Sequence, residues 1–407
     1  MAPKTPRLLT RLAPVLALLV AAACDPPKHE PAASAPASAA VTASARASAP
    51  AAASASAVTP ASASAAPAFG PFGELVRSLS EPGGDFISDN LISNETSYLQ
   101  TADALAARPA GGVYLGVGPE QNFTYLALTR PRLAFIVDIR RDNLLQHLYY
   151  RFLFEEAESR SHFLALLVGR PYDAATAPPA TADVDAVLKH AETKAPDPKL
   201  FATTVDRAMK RMQEAYGVTL TDKDKRSLAR MTQVFFDKQL DLRFELKENS
   251  GRKYPSLREL VGAADPAGKK RGFLATDEAF RFVQTMEREG RVVPVVGDFA
   301  GDGAFPAIAA FLQKNDLRVS TLYVSNVEQY LLEPPTWSKW IRNVAALPRA
   351  DDALFLRCYL DQGKKHPKQM EGHRTATVLA KIDDFVTREQ KTPTRSWFKI
   401  ATEGNLD

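Results

Sequence analysis

Residues 113–138 read VYLGVGPEQNFTYLALTRPRLAFIVD and decide the fold of the chain. A short apolar stretch runs into a glycine turn at Gly116 and Gly118, a helical stretch follows over 122–128, and a second apolar stretch ends at Asp138. A strand, a glycine turn, a helix and a second strand make a βαβ unit, and continuous apolar strands are typical of a parallel sheet that is buried on both faces. The stretch therefore predicts an α/β domain.

The same alternation extends along the chain and is interrupted once. Residues 142–158 predict a helix, and from about 163 to 288 the pattern is helical with few strand signals. Strand signals return over 291–298, 319–326, 352–360 and 374–382, with helices predicted over 305–314 and 337–347 between them. We therefore expect a Rossmann-like α/β sheet with helices on both faces and a helical insertion at about 163–288.

The first 24 residues have the layout of an export signal. Basic residues precede an apolar stretch over 12–20, and small residues lead to Cys24. The apolar stretch is too short to span a bilayer as a helix. Small residues before a Cys resemble the lipobox of bacterial lipoproteins, which implies a signal peptide over 1–24, a lipid on Cys24 and a place in the cell envelope, on the periplasmic face of the inner or outer membrane. Ordinary signal cleavage that leaves an unmodified Cys24 is the alternative.

Composition separates a tether from a globular body. Residues 25–68 are almost wholly Ala, Ser and Pro, which cannot bury enough apolar surface to offset the entropy of ordering, so we expect a disordered tether. Residues 69–407 are long enough for one large domain. The net charge is only +4 and the basic residues are scattered, which gives no support to nucleic-acid binding. Apart from Cys24 the chain has only Cys358, and no Cys/His cluster has the spacing of a metal site.

Polar residues and glycines follow the ends of four predicted strands. Ligands of open α/β sheets bind at these carboxyl ends, where glycine lets a ligand approach the backbone closely. Asp138 lies 22 residues after Gly116, a spacing that suits the ribose hydroxyls of a nucleotide. Plain tight turns and helix caps are the alternatives for these positions. The candidate residues are Gly116, Gly118, Glu120, Asn122, Asp138, Asp298, Asn326 and Glu328.

Four of these segments resemble the motifs of class I S-adenosylmethionine-dependent methyltransferases. They are LGVG at 115–118, IVD at 136–138, GDF at 297–299 and VSN at 324–326. The resemblance implies a glycine loop that faces the methionine part of S-adenosylmethionine. It also implies that Asp138 holds the ribose and that Asp298 meets the adenine. Asn326 and Glu328 would then lie closest to the transferred methyl group.

The chain departs from that pattern at three places. Tyr114 stands where an acid usually precedes the first glycine, residues 119–120 replace the third glycine of the loop, and a long block separates the second and third motifs. Segments at 86–90, 93–96 and 116–122 are more specifically similar to an uncharacterised bacterial family. That resemblance extends from about residue 85 to 382 and implies a methyltransferase-like fold without an established activity.

Asn94, Glu95 and Thr96 precede the first strand, where we expect a lid over the site. Alternatively, Ser93 and Thr96 begin a helix over 97–107, and the sequence leaves both readings open. We expect an exported, lipid-anchored protein that binds a small ligand at the strand ends. Methyl transfer is an activity that the resemblance allows, since it requires positioning rather than a nucleophile. The alternative is a non-catalytic scaffold of the cell envelope that binds a protein partner through the helical insertion.

The anchor gives the first testable prediction. Replacing Cys24 by Ser removes the site of lipidation. Cys24→Ser is therefore expected to move the folded protein from the membrane fraction to the soluble fraction, because the acyl chains that would hold it at the membrane are then missing. Fractionation in high salt and mass spectrometry of the mature N-terminus measure this. Membrane retention of the variant, or an unlipidated Cys24 in the unaltered protein, would contradict the prediction.

Overall fold

The computed structural model describes residues 69–246 and 253–406. The predictions for residues 1–68, namely the signal peptide, the lipid on Cys24 and the tether, lie outside the described residues. Within these two ranges, no helix combines the length and the apolar character that crossing a bilayer requires.

A six-stranded sheet forms the centre of the body, with the strand order β3-β2-β1-β4-β5-β6. Neighbouring strands are parallel except β5 and β6, which are antiparallel. The predicted Rossmann-like α/β sheet is therefore present. The strands are β1 Val113–Gly116, β2 Leu133–Asp138, β3 Val292–Val296, β4 Val319–Ser325, β5 Arg349–Leu360 and β6 Thr375–Lys381.

Helices flank this sheet, and several of them begin and end close to the predicted positions. In chain order they are α1 Phe72–Leu79, α2 Ala102–Ala106, α3 Gln121–Thr129, α4 Arg141–Glu156, α5 Arg160–Leu167, α6 Val184–Ala191, α7 Pro198–Glu214, α8 Asp222–Lys238, α9 Leu257–Val261, α10 Asp277–Arg288, α11 Ala304–Lys314, α12 Thr336–Ala346, α13 Ile382–Lys391 and α14 Trp397–Thr402.

The central strands are buried on both faces, as their continuous apolar sequences predict. Every residue of β1, β2 and β3 is buried. Leu115 pairs with Phe135, and Phe135 pairs with Val293, and none of the three side chains is exposed. Burying one such side chain contributes about 1.5–3 kcal/mol. A sheet with this composition is stable only when helices cover both of its faces.

The strand order reverses beside β1. The chain forms β1, β2 and β3 in one direction and then returns to place β4 on the other side of β1. Connections on the two sides of such a switch point diverge, which leaves a crevice at the carboxyl ends of the strands. The topology therefore places any ligand site beside the ends of β1 and β4.

The block between α4 and β3 contains α5 to α10 and contributes no strand to the described part of the sheet. Local signals set its helix starts: the Thr221 side chain caps α8 in a capping box, and the Thr276 side chain caps α10. The buried Arg160 guanidinium donates to the Ala182 carbonyl oxygen at 2.8 Å and to the Ala275 carbonyl oxygen at 3.0 Å. Arg160 thus joins two loops of the block to the start of α5.

Candidate functional site

A cavity of about 300 Å³ opens at the carboxyl ends of β1, β2, β3 and β4. Its size is at the lower end of the range for small-molecule sites, about 300–1,000 Å³. Segments from other parts of the chain complete its walls, including residues 86–95, the loop after β4, and Phe244 and Tyr254 of the helical block. Six of the predicted site residues line it, namely Asn94, Glu95, Gly118, Asp138, Asp298 and Asn326.

The glycine loop after β1 forms one wall. Gly118 lines the cavity with a φ of 80°, a backbone conformation that glycine adopts readily, and a Cβ added there would meet no atom within 4 Å. Asn122 holds the loop in place: its Nδ2 donates to the carbonyl oxygens of Val117 at 3.0 Å and Pro119 at 2.8 Å. Gly118 therefore presents bare backbone to the cavity.

Gly116 and Asn122 shape the loop and do not line the cavity. The Tyr114 hydroxyl donates to Asn122 Oδ1 at 2.9 Å, and a Cβ on Gly116 would lie 2.0 Å from that same oxygen. Such a contact would be a severe clash, so Gly116 is required by the packing of Asn122 against β1. Both residues were predicted to bind the cofactor directly, whereas here they support the loop from behind.

His147 supports the same loop from α4. The ring is fully buried, its Nε2 lies 2.9 Å from the Gly118 carbonyl oxygen, and burial lowers the pKa of His147 to about 4. The neutral ring therefore donates through Nε2. Among the described residues, Nδ1 has no hydrogen-bond partner. Sequence analysis missed His147, because its partner is a backbone oxygen 29 residues away in the chain.

Asp138 lines the cavity at the end of β2 but is already hydrogen bonded to Arg140. Its Oδ1 accepts from the Arg140 backbone N at 2.9 Å and from Nε at 3.0 Å, and its Oδ2 accepts from Nη2 at 2.8 Å. Both side chains are less than a tenth exposed. A carboxylate offers about four acceptor positions, so roughly one remains for a ligand hydroxyl.

Asp298 lies at the end of β3 and is half-buried. Its Oδ1 accepts from the Ala300 backbone N at 2.9 Å, and its own backbone N donates to Glu81 Oε1 at 2.6 Å. A Cβ on the preceding Gly297 would lie 2.4 Å from the Cβ of Ala304, so this glycine serves the close packing of α11. The Asp298 carboxylate therefore keeps acceptor positions that face the cavity.

The end of β4 brings Ser325 and Asn326 to the cavity. Ser325 has a φ of 51°, a left-handed conformation that costs a residue with a side chain roughly 1–3 kcal/mol. Asn90, which also lines the cavity, has a φ of 44°. Strained residues of this kind are concentrated at functional sites, so their presence favours a ligand site here.

Glu328 was predicted to lie near the reacting group, but it is completely buried outside the cavity. Arg357 Nη2 donates to its Oε1 at 3.0 Å, and Trp340 Nε1 donates to the same oxygen at 3.1 Å. Arg357 is also buried and stacks on the Phe355 ring with its guanidinium carbon 4.0 Å from the centroid. Glu328 therefore belongs to an ion pair of the core.

Asn94 and Glu95 of the predicted lid segment line the cavity, whereas Thr96 does not. Glu95 lines the cavity and accepts hydrogen bonds from Tyr323 at 2.8 Å, from Gln121 Nε2 at 2.6 Å and from the Ser325 hydroxyl. Burial raises the pKa of Glu95, and these donors partly oppose the rise. Thr96 points the other way, with its hydroxyl 3.1 Å from His373 Nδ1.

The alternative reading of this segment was a helix over 97–107. Residues 96–101 form turns, and α2 covers only Ala102–Ala106. Asn94 and Glu95 thus reach the cavity from an irregular segment, and their role as a lid stays a prediction.

Glu120 faces a second, much smaller cavity of about 20 Å³, large enough for one water molecule. Its Oε1 accepts from the Ser93 backbone N at 3.1 Å, while Oε2 has no hydrogen-bond partner within residues 69–246 and 253–406. Burial raises the pKa of Glu120 to about 7, and Glu95 nearby adds to the rise. The side chain predicted to face the ligand instead points toward the lid segment.

No group of three or more His, Cys, Asp or Glu side chains in the described ranges could hold a metal ion. Cys358 is a free, buried thiol in β5. What sequence analysis missed is the apolar part of the cavity wall. Phe86, Ile87 and Tyr330 lie there, and their sequence surroundings carry no periodicity that could have indicated it.

Comparison with known proteins gives one family. The family described as "Domain of unknown function (DUF7790)" matches residues 91–403, which is most of the chain. A search of curated proteins found no match.

The ion pair of Glu328 gives a prediction about stability. Glu328→Gln leaves the Arg357 charge buried without its partner, so we expect a loss of about 3–5 kcal/mol in the free energy of unfolding, measured with urea. Glu278→Gln is the control, because it breaks an ion pair with Arg130 at the surface and is expected to cost about 1 kcal/mol at most. Equal losses in both variants would contradict the burial argument.

Glu120 gives a prediction about pH. The pKa of Glu120 is about 7 in the folded protein and 4.5 in an unperturbed glutamate, so the folded state keeps a proton that the unfolded state has released. Stability is therefore expected to fall as the pH rises between these values, by up to about 3 kcal/mol. Glu120→Gln retains an acceptor for Ser93 and is expected to flatten this fall.

Thermal unfolding at several pH values measures the difference between the variant and the unaltered protein. Glu95 and Glu287, whose pKa values are also raised by burial, add changes of the same sign to both proteins. The comparison therefore measures the contribution of Glu120 together with its interaction with Glu95. An unchanged pH dependence in Glu120→Gln would show that this carboxyl is ionised in the folded state.

Proposed function

We propose that this chain, which belongs to the DUF7790 family, binds a small ligand in the cavity at the carboxyl ends of its parallel strands. The proposal rests on one observation, which is that polar and glycine residues from several strand ends meet in one cavity. Residues from the ends of four strands, Gly118, Asp138, Asp298 and Asn326, line one cavity beside the point where the strand order reverses. Ligands of open α/β sheets bind at this position.

The chemistry of these groups suits a ligand that is rich in hydrogen-bond donors. Asp138 and Asp298 supply acceptor oxygens, the Asn326 amide can donate and accept, and Gly118 leaves room for close approach to the backbone. A nucleoside such as the one in S-adenosylmethionine carries ribose hydroxyls and an exocyclic amine of this kind. S-adenosylmethionine is therefore the first ligand to test, in a methyltransferase-like site.

Methyl transfer is the activity that such a ligand would support, and Asn326 is the predicted residue at the reacting end of the cavity. Glu328 takes no part in this proposal, because it is held by Arg357 in the core. We also propose that the protein is exported and anchored by lipid at Cys24. S-adenosylmethionine is made in the cytoplasm, so in the envelope the site would serve another ligand of similar chemistry.

The scaffold alternative receives no separate support. The helical block would have to act away from the sheet, yet Phe244 and Tyr254 of that block form part of the cavity wall. A binding role for the block is therefore most simply a share in the same ligand site.

Gly118→Ala tests the proposal with a matched control. Gly118 and Gly268 have φ values of 80° and 79°, and both have open space where a Cβ would lie, but only Gly118 lines the cavity. Both alanine variants bear similar backbone strain, about 1 kcal/mol. Only Gly118→Ala is expected to weaken binding of S-adenosylmethionine and its demethylated product, by roughly tenfold, because its methyl group enters the site.

Calorimetric titration and thermal unfolding with millimolar ligand measure this. Ligand that binds the folded state alone raises the melting temperature. The absence of both heat and a melting shift would exclude S-adenosylmethionine as the ligand. Equal weakening by the two alanine variants would place the binding site elsewhere.

A further inference from the structure

We infer that the ligand of this cavity is an amphipathic cation, whose charged end lies against the strand-end carboxylates and whose apolar end lies on a rim formed by Phe86, Ile87 and Tyr330. This inference rests on the proposed ligand site and specifies the chemistry of its occupant. Two independent observations support it. They are the exposure of the rim and the charge of the cavity floor, by which we mean the acidic and basic side chains that line the cavity.

The rim concentrates the exposed apolar surface of the body. Over residues 69–246 and 253–406, three large apolar side chains are exposed, and two of them are Ile87 at 56% and Tyr330 at 49%. Both line the cavity, so they mark its opening. Leaving apolar surface in water is unfavourable, and apolar patches at the edge of a cavity are typical of ligand sites. The rim is therefore expected to bind the apolar part of a ligand.

Aromatic pairs hold this wall in place. The rings of Phe86 and Tyr330 meet edge to face with centroids 5.3 Å apart, although one precedes β1 and the other follows β4. Phe244 and Tyr254 form a second edge-to-face pair in the cavity wall, at 4.8 Å. Such pairs stabilise the rings beyond the burial of their area, so the aromatic surface is a defined part of the cavity.

One carboxylate of the cavity, Asp298, lacks a cationic partner in the described part of the chain, whereas Asp138 is paired with Arg140 and burial raises the pKa of Glu95. The carboxylates and the guanidinium that line the cavity are Glu95, Asp138, Asp298 and Arg140, and the Arg140 charge is already paired with Asp138. The donors to Glu95 are neutral, namely Tyr323, Gln121 and Ser325. Asp298 accepts from the Ala300 backbone N and has no ion-pair partner among the described side chains.

A ligand with a cationic end is favoured both by the Asp298 carboxylate and by the aromatic rings of the rim. An ammonium group lowers the electrostatic energy of Asp298, whereas a phosphate or carboxylate group would be repelled by it. Aromatic rings at the opening also favour a cation over an anion, because the ring face is negative. Arg140 is the one cationic side chain among the described residues that line the cavity, and an anionic ligand would have to compete with Asp138 for it.

Three probes of one shape test the inference: phenylpropylammonium, phenylpropanol and phenylpropionate. Each is titrated into the full-length purified protein at millimolar concentration, and binding is followed by saturation-transfer nuclear magnetic resonance. The ammonium probe is expected to bind at least about tenfold more tightly than the carboxylate probe, with the alcohol between them, as an ion pair and a cation–π contact together require.

Ile87→Ala and Tyr330→Ala are each expected to weaken the ammonium probe by roughly fivefold, the equivalent of one exposed cation–π or apolar contact. Asp298→Asn is expected to reduce the preference for ammonium over alcohol. Leu406→Ala is the matched control, because Leu406 is the third exposed apolar side chain and does not line the cavity. It is expected to leave the affinity of all three probes unchanged.

The outcomes separate this inference from the proposed function. No binding of the ammonium probe, tighter binding of the carboxylate, or equal effects of Leu406→Ala and Tyr330→Ala would overturn the inference. Binding of S-adenosylmethionine that Gly118→Ala weakens would still uphold the proposed site in that case. Conversely, an ammonium probe sensitive to Tyr330→Ala, together with no binding of S-adenosylmethionine, would support the inference and remove only the nucleoside ligand.

Discussion

The constraint on which the rest of the structure depends is the burial of parallel strands on both faces. Leu115, Phe135 and Val293 lie side by side with no exposed surface, so a polar group in the middle of these strands is costly unless a neighbour satisfies it, as Asn122 does for the Tyr114 hydroxyl. Polar side chains that remain available to a ligand are therefore concentrated at the strand ends. Because β1, β2, β3 and β4 are parallel, their carboxyl ends lie at the same edge, and their polar residues meet there.

The sequence predicted the sheet well because its signals are local. Mostly apolar stretches of four to seven residues define β1 to β4, and glycine turns or capping side chains such as Thr276 mark where helices begin. The prediction for the end of the chain was less complete, because it ended with a β region, whereas α13 and α14 follow β6 and pack near the edge of the sheet. The position of Asp138, Asp298 and Asn326 at strand ends followed from the same local signals.

The direction in which each side chain points could not be predicted from the sequence. Asn326 and Glu328 are two residues apart, yet Asn326 lines the cavity and Glu328 pairs with Arg357, 29 residues further on. Asn122 and Glu120 likewise follow a glycine loop, but one closes the loop and the other binds the backbone of Ser93. Each outcome depends on a partner that only the folded chain brings near. The apolar rim escaped notice for the same reason, because Phe86 and Tyr330 come from distant segments.

Two kinds of segment form the cavity wall. Strand ends supply Gly118, Asp138 and Asp298, while Phe244 and Tyr254 come from a block that adds no strand to the described sheet. Changes in those two rings can alter the shape of the opening without disturbing the register of any strand. Part of the ligand preference is thus encoded outside the strands, which leaves a protein of this design free to acquire new specificities while its core sequence stays fixed.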